Sequence, residues 1–127
     1  MQRTLRGLKN KLFGHAKEQD AAKWLQQRGF EIVAQNYRFN KAEIDLIGLH
    51  NTEQRLVFFE VKYRQNADYG HPAEQLSAAQ QARIRLAAQH FLLTHPHYAD
   101  YSMQFDLLAY SDDILEPQHI ENAFGFF

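Results

Sequence analysis

The stretch AEIDLIGLHNTEQRLVFFEVKYR, residues 42–64, decides how this chain folds. Glu43–Leu49 and Leu56–Tyr63 are rich in the branched and aromatic residues that suit a pleated, half-buried surface, and the polar segment His50–Gln54 joins them as a hairpin. Side chains two apart on a strand share a face, so Glu60 and Lys62 lie on one side of the second arm and Val57, Phe59 and Val61 on the other. Glu43, Asp45 and Ile47 are expected to share a face of the first arm in the same way. Asp is disfavoured in strands, and the carboxylate inside LVFFEVK sits among apolar neighbours, so one hairpin breaks two local rules. If its register sets the Asp45 face beside the Glu60 face, two or three carboxylates converge with the Lys62 ammonium alongside.

Carboxylates crowded in this way repel one another and raise their own pKa values. A hard divalent cation, Mg²⁺ or Mn²⁺, relieves that penalty because it takes oxygen ligands. The arrangement suits phosphodiester hydrolysis, in which a metal polarises the phosphoryl oxygen while a lysine orients the attacking water or stabilises developing charge. On this reading Asp45 and Glu60 are metal ligands, the backbone carbonyl of Val61 is a further one, and Lys62 acts in the reaction. By itself the tripeptide Glu60-Val61-Lys62 would more often be a same-face surface pair; it gains weight from the strand-centred Asp45 and the elements around it.

Working outward, residues 14–28 read as a helix, with Ala22 and Leu25 four and seven positions after Glu18 and Gly29 where a C-cap belongs. Glu18 therefore shares the inward face, from which it could complete the acid cluster directly or through water. Phe30–Ala34 and Tyr37–Phe39 suggest a first strand. From Pro72 onward Leu76, Ile84, Ala87, Ala88, Phe91 and Leu92 keep a helical period up to His95; Met103–Tyr110 is a strand, and IENAFGFF can dock as a last edge strand or tail. The order α, three strands in meander, α, then one or two strands predicts an α/β fold that is neither a Rossmann alternation nor all-β.

Composition narrows the function classes. The 127 residues suit a single domain, 1–127, and contain no cysteine, so any metal must be held by oxygen or imidazole. His95 and His97 flank Pro96 without a third ligand, which argues against zinc. No apolar run reaches membrane-spanning length and no secretory signal is apparent, so the expected setting is cytoplasmic. Charge is uneven: residues 1–64 hold twelve Lys/Arg against seven Asp/Glu, and residues 65–127 hold two against eight. The basic excess is densest at the start, and residues 1–13 read either as a flexible arm that meets phosphates or as a solvated terminus. Arg38, Lys41, Tyr63 and Arg64 are candidates for nucleic-acid binding, since with Tyr37 and Phe39 they mix aromatic and basic side chains; strand packing with charged outer ends is the competing reading. Asp106 is expected to hydrogen-bond a helix end or a loop.

Gly14 with Glu18, AEIDLI at 42–47, VFFEVKYR at 57–64, Gly70, the Ala-rich second helix and QFDLL at 104–108 together resemble the YraN family, a widespread group of small uncharacterised bacterial proteins. That family is similar to the Holliday-junction resolvases and other PD-(D/E)XK nucleases. The resemblance implies a restriction-endonuclease-like α-β-β-β-α-β core, a mixed sheet flanked by helices. It also implies Glu18 as the helical acid, Asp45 as the acid of the first motif, and Glu60 with Lys62 as the E-x-K motif. The chain departs from the family pattern at Ala42, where Gly is usual, at Gln80 and Gln81, where a Lys is usual, and at Gln104 in place of Arg. The function implied is a Mg²⁺- or Mn²⁺-dependent DNA endonuclease, resolvase-like. The alternative is a non-catalytic nucleic-acid-binding or partner-docking module on the same fold. The partner expected is nucleic acid, DNA before RNA, with monomer and homodimer both open.

Overall fold

The hairpin expected from residues 42–64 forms. In the computed structural model, which describes residues 18–64, 76–112 and 116–126, β2 (Ala42–His50) pairs antiparallel with β3 (Arg55–Arg64) from His50↔Arg55 to Leu46↔Phe59. The basic arm expected at 1–13, residues 14–17 of the first helix, Gly70 and Pro72 lie outside the described residues. β1 (Phe30–Phe39) pairs antiparallel along the other edge of β2, across a turn at Asn40 and Lys41 in which Asn40 has φ 56°, a left-handed conformation that Asn tolerates. β1 runs through both of its predicted pieces. The break between them persists as a bulge between Ile32 and Ala34 and as a left-handed Asn36, φ 52°.

The first helix, α1, is described over 18–26 and ends in a turn whose Gly29 has φ +91°, as the C-cap reading required. α2 (Ala78–Thr94) begins at Ser77, whose Oγ accepts the Gln80 N–H at 3.1 Å. It carries the chain from β3 to β4 (Ser102–Ser111), which runs parallel to β3 from Arg55↔Ser102 to Arg64↔Ser111. A parallel neighbour requires a crossover of this kind. The C-terminal apolar segment docks as the edge strand β5 (Gln118–Phe124), antiparallel to β4. The result is an α/β fold with a five-stranded mixed sheet, β1-β2-β3-β4-β5, and the α-β-β-β-α-β order of a nuclease-like core.

The two sheet faces fill by strand alternation. Ala42, Ile44, Ile47, Leu49, Leu56, Phe58 and Phe105 pack under Ile84, Ala87, Ala88 and Phe91 of α2. Leu46, Val57, Phe59, Leu108 and Tyr110 pack under Ala21, Ala22 and Leu25 of α1. Each fully buried Leu, Ile or Phe contributes about 1.5–3 kcal/mol relative to exposure, so these two layers anchor the sheet. The expected common face of Glu43, Asp45 and Ile47 does not hold. Ile44 and Ile47, three apart, enter the α2-side layer, whereas Leu46 enters the other. The alternation slips at Asp45, between the pairs Gln35↔Leu46 and Tyr37↔Ile44, where the facing strand carries its left-handed Asn36.

Candidate metal centre

The slip coincides with a fork in the sheet. The β2–β3 ladder ends at Leu46↔Phe59, while β3 stays paired with β4 as far as Arg64. One residue past the end of the ladder, Asp45 supplies through its side chain what the departing backbone no longer does: its Oδ2 accepts the Val61 N–H at 2.7 Å. In an extended strand the N–H and C=O of one residue point to the same side. The Val61 carbonyl is therefore directed away from β4, into the gap that β2 leaves.

Glu60 stands on the α2 side of the fork with its side chain only 12% exposed. Its Oε1 accepts from Gln80 Nε2 of α2 at 3.3 Å and lies 3.6 Å from Lys62 Nζ. Asp45 and Glu60 are thus each anchored through one oxygen. Asp45 Oδ1 and Glu60 Oε2 make no hydrogen bond among the described residues. Both residues line a cleft of about 230 Å³, together with Lys41, Ala42, Glu43, Gln80, Arg83 and Ile84. Glu43 stands nearby with its side chain 36% exposed. It lines the cleft, faces Arg38 at 3.5 Å, and shares the side-chain amide nitrogen of Asn36, 2.9 Å from Glu43 Oε1 and 3.1 Å from Glu18 Oε2. Acids from α1, β2 and β3 so meet at the fork.

Their electrostatics follow from that crowding. Burial pushes the Asp45 carboxyl far above the usual carboxylate range, to about 8; repulsion from Glu60, and more weakly from Glu18 and Glu43, adds to the rise, and the Val61 N–H opposes it. Burial also raises Glu60, to about 7, against the charge and hydrogen bond of Lys62, with Glu43 and Glu18 repelling. The donors present are carboxylate oxygens and a backbone carbonyl, a set that suits a hard divalent cation.

A sequence profile for "Uncharacterised protein family UPF0102" matches residues 17–110. This chain belongs to that family. A UPF0102 protein of Alcanivorax borkumensis is 39% identical over 123 residues, covering 94% of this chain and 95% of the relative. One from Aeromonas hydrophila is 40% identical over 108 residues, covering 84% and 80%, and one from Desulforamulus reducens is 33% identical over 120 residues, covering 91% and 98%. Glu18, Asp45, Glu60 and Lys62 all fall within the span of the family match.

A second set of potential ligands escaped the sequence reading. Asp106, His119 and Glu121 bring ligand atoms within 4.8 Å of one another, a spacing that no three of the acids at the fork reach. Asp106, 1% exposed, is already satisfied: it accepts from Gln104 Nε2 at 2.9 Å and from the Asn122 N–H at 3.0 Å, and meets His119 Nε2 at 2.7 Å. These contacts fill the irregularity in β4–β5 pairing between Phe105 and Leu107. Asp106 thus ties down a bulged strand, where the sequence had suggested a helix end or a loop. His119 and Glu121 also lie beyond the span that matches the family.

Of the candidates for nucleic-acid contact, Lys41 lines the cleft and Arg38, its side chain 75% exposed, faces Glu43. The Tyr63 hydroxyl donates to Asp112, and the Arg64 side chain lies outside the described residues. Tyr37 and Phe39 are taken up by packing: the Tyr37 hydroxyl meets His90 Nδ1 at 2.5 Å, and Phe39 stacks on the His90 ring at 4.0 Å. His95 likewise stacks on Phe91, at 4.0 Å. Sequence reasoning overlooked Asn36, although an Asn inside a strand is itself a signal, being disfavoured there and tolerant of left-handed φ.

Proposed function

We propose that this protein is a metal-dependent phosphodiesterase acting on nucleic acid, an endonuclease of resolvase-like type. The observation that carries this reading is that Asp45 and Glu60 are each held by one oxygen and keep the other without a partner among the described residues, in a shared cleft. Neither of those oxygens is a buried acceptor left unsatisfied, so it is their opening into the cleft that makes them available to a hard cation. Asp45 Oδ1, Glu60 Oε2 and the Val61 carbonyl would hold Mg²⁺ or Mn²⁺, with Glu18 reaching the site directly or through water. When bound, such an ion polarises a phosphoryl oxygen and lowers the pKa of a water. Lys62, 30% exposed and 3.6 Å from Glu60, would orient an attacking water and offset the negative charge that grows on the phosphate. The fork keeps the acids buried on their packed side and open on the cleft side, so the substrate backbone can approach.

The direct test incubates the purified protein with labelled branched, single-stranded and duplex DNA in Mg²⁺, Mn²⁺ or EDTA. Divalent-dependent cleavage that disappears in Asp45→Asn is expected. Thermal stabilisation by Mg²⁺ with no cleavage of any form would favour the non-catalytic binding module instead.

A further inference from the structure

The cations around the fork fall into two sets. Lys62 faces Glu60 and Arg38 faces Glu43. Lys41 and Arg83 also line the cleft, yet neither makes an ion pair among the described residues. They come from different walls: Lys41 from the β1–β2 turn, and Arg83 from α2, three residues after Gln80 and so on the helix side that touches Glu60.

Formal charge gives these two a purpose. Glu18, Glu43, Asp45 and Glu60, offset by Lys62, Arg38 and one divalent ion, leave the fork with no net formal charge to draw in an anion. Lys41 and Arg83 add two positive charges at its walls. Folding either onto an acid would gain little in a solvated setting, so the unpaired state costs little. We infer that Lys41 and Arg83 form a phosphate-binding pair that grips a nucleic-acid backbone from the two walls of the cleft; this rests on the phosphodiesterase reading above. Arg83 offers a planar fork of donors that fits phosphate oxygens, while Lys41 acts as a mobile point charge. Contacts of this kind hold the strand in place and read no bases, so binding should be tolerant of sequence.

The test compares wild type, Lys41→Gln, Arg83→Gln and, as a charge-matched control on the same helix, Arg85→Gln. Arg85 donates to the Gly125 carbonyl at 2.7 Å, away from the cleft lining. Binding of labelled single-stranded oligonucleotides is measured against salt in Ca²⁺, with deoxyribo- and ribo-backbones of one sequence as separate arms. Lys41→Gln and Arg83→Gln should each flatten the slope of log affinity against log salt by about 0.7, the share of one phosphate contact on a single strand. Arg85→Gln should keep the wild-type slope, and the rise in melting temperature caused by the ion should be the same in all four proteins. A loss of slope on both backbones identifies phosphate as the ligand, and a loss on one alone assigns the pair to that polymer. If wild type binds and both cleft variants keep its slope on both backbones, the inference fails while the metal reading stands. If wild type gains no stability from divalent ions and binds neither oligonucleotide, both fall together.

Discussion

Asp45 accepts the Val61 N–H at 2.7 Å at the point where β2 leaves β3, so a single carboxylate ends a β-ladder and faces the cleft. Its shape and its charge can be separated. Asp45→Asn retains an oxygen for Val61 and should fold; Asp45→Ala leaves that N–H unpaired, at a cost of about 1–3 kcal/mol. With Mg²⁺ at about 100 times its dissociation constant, wild type should gain about 2.7 kcal/mol. Asp45→Asn and Glu60→Gln should each lose that gain. Thermal melts with and without the ion decide the matter, and a variant that keeps the full gain removes its residue from the ligand set.

The raised acids make stability depend on pH in a defined direction. In the folded protein Asp45 and Glu60 titrate near 8 and 7, against ordinary values of 3.8 and 4.5, so between those limits the folded state binds more protons than the unfolded chain. Their contribution is fully present below about pH 4 and is lost as pH rises through the folded-state values. In EDTA, Asp45→Asn should therefore gain on wild type in melting temperature as pH is raised from about 5 to about 8. A constant difference across that range would mean that Asp45 titrates as an ordinary carboxyl.

Lys62 should show a defect of another kind. It is 3.6 Å from Glu60 Oε1, the oxygen turned towards Gln80, so its loss should spare the oxygen left for the ion. Lys62→Ala is expected to keep most of the Mg²⁺ stabilisation while cleavage falls by roughly 10²-fold or more, the usual scale for a group that stabilises developing charge. Equal loss of both properties would make Lys62 a structural partner of Glu60 and nothing further.

Asp106 tests the competing cluster. Asp106→Ala leaves Gln104, His119 and the Asn122 N–H without their shared acceptor, and about 1–3 kcal/mol of stability should go with it, the cost of leaving a buried donor unpaired. The increment that Mg²⁺ adds should survive in whatever folded protein remains, measurable by chemical denaturation at low temperature. If that increment vanishes in Asp106→Ala and persists in Asp45→Asn, the ion belongs at β4–β5 and not at the fork.

The hairpin of residues 42–64, both helices and β4 were legible because their periods are set by local alternation and by residue type. What the sequence did not disclose arose from contacts between elements. The placement of Glu43 depended on the slip opposite Asn36, which period-two counting from Ile47 cannot foresee. The bond from Val61 to Asp45 required knowing where β2 parts from β3. Gln80 had stood out only as a departure from the family pattern, and Arg83 not at all, until α2 was laid over Glu60. Tyr37 and Phe39, which suited a base-stacking surface, instead pack against a histidine 53 and 51 residues away, His90.

The parallel crossover has a consequence for the chain while it is being made. Glu18, Asp45, Glu60 and Lys62 have all been synthesised by residue 62, yet Glu60 and Lys62 are aligned only against Leu107 and Ala109 of β4, and Gln80 arrives from the helix between. Pairings that span such a loop form late and slowly. A nascent chain that has passed residue 62 therefore carries all four proposed site residues but not the strand that aligns two of them, and the fork can take its final shape only after residues 107–109 have followed.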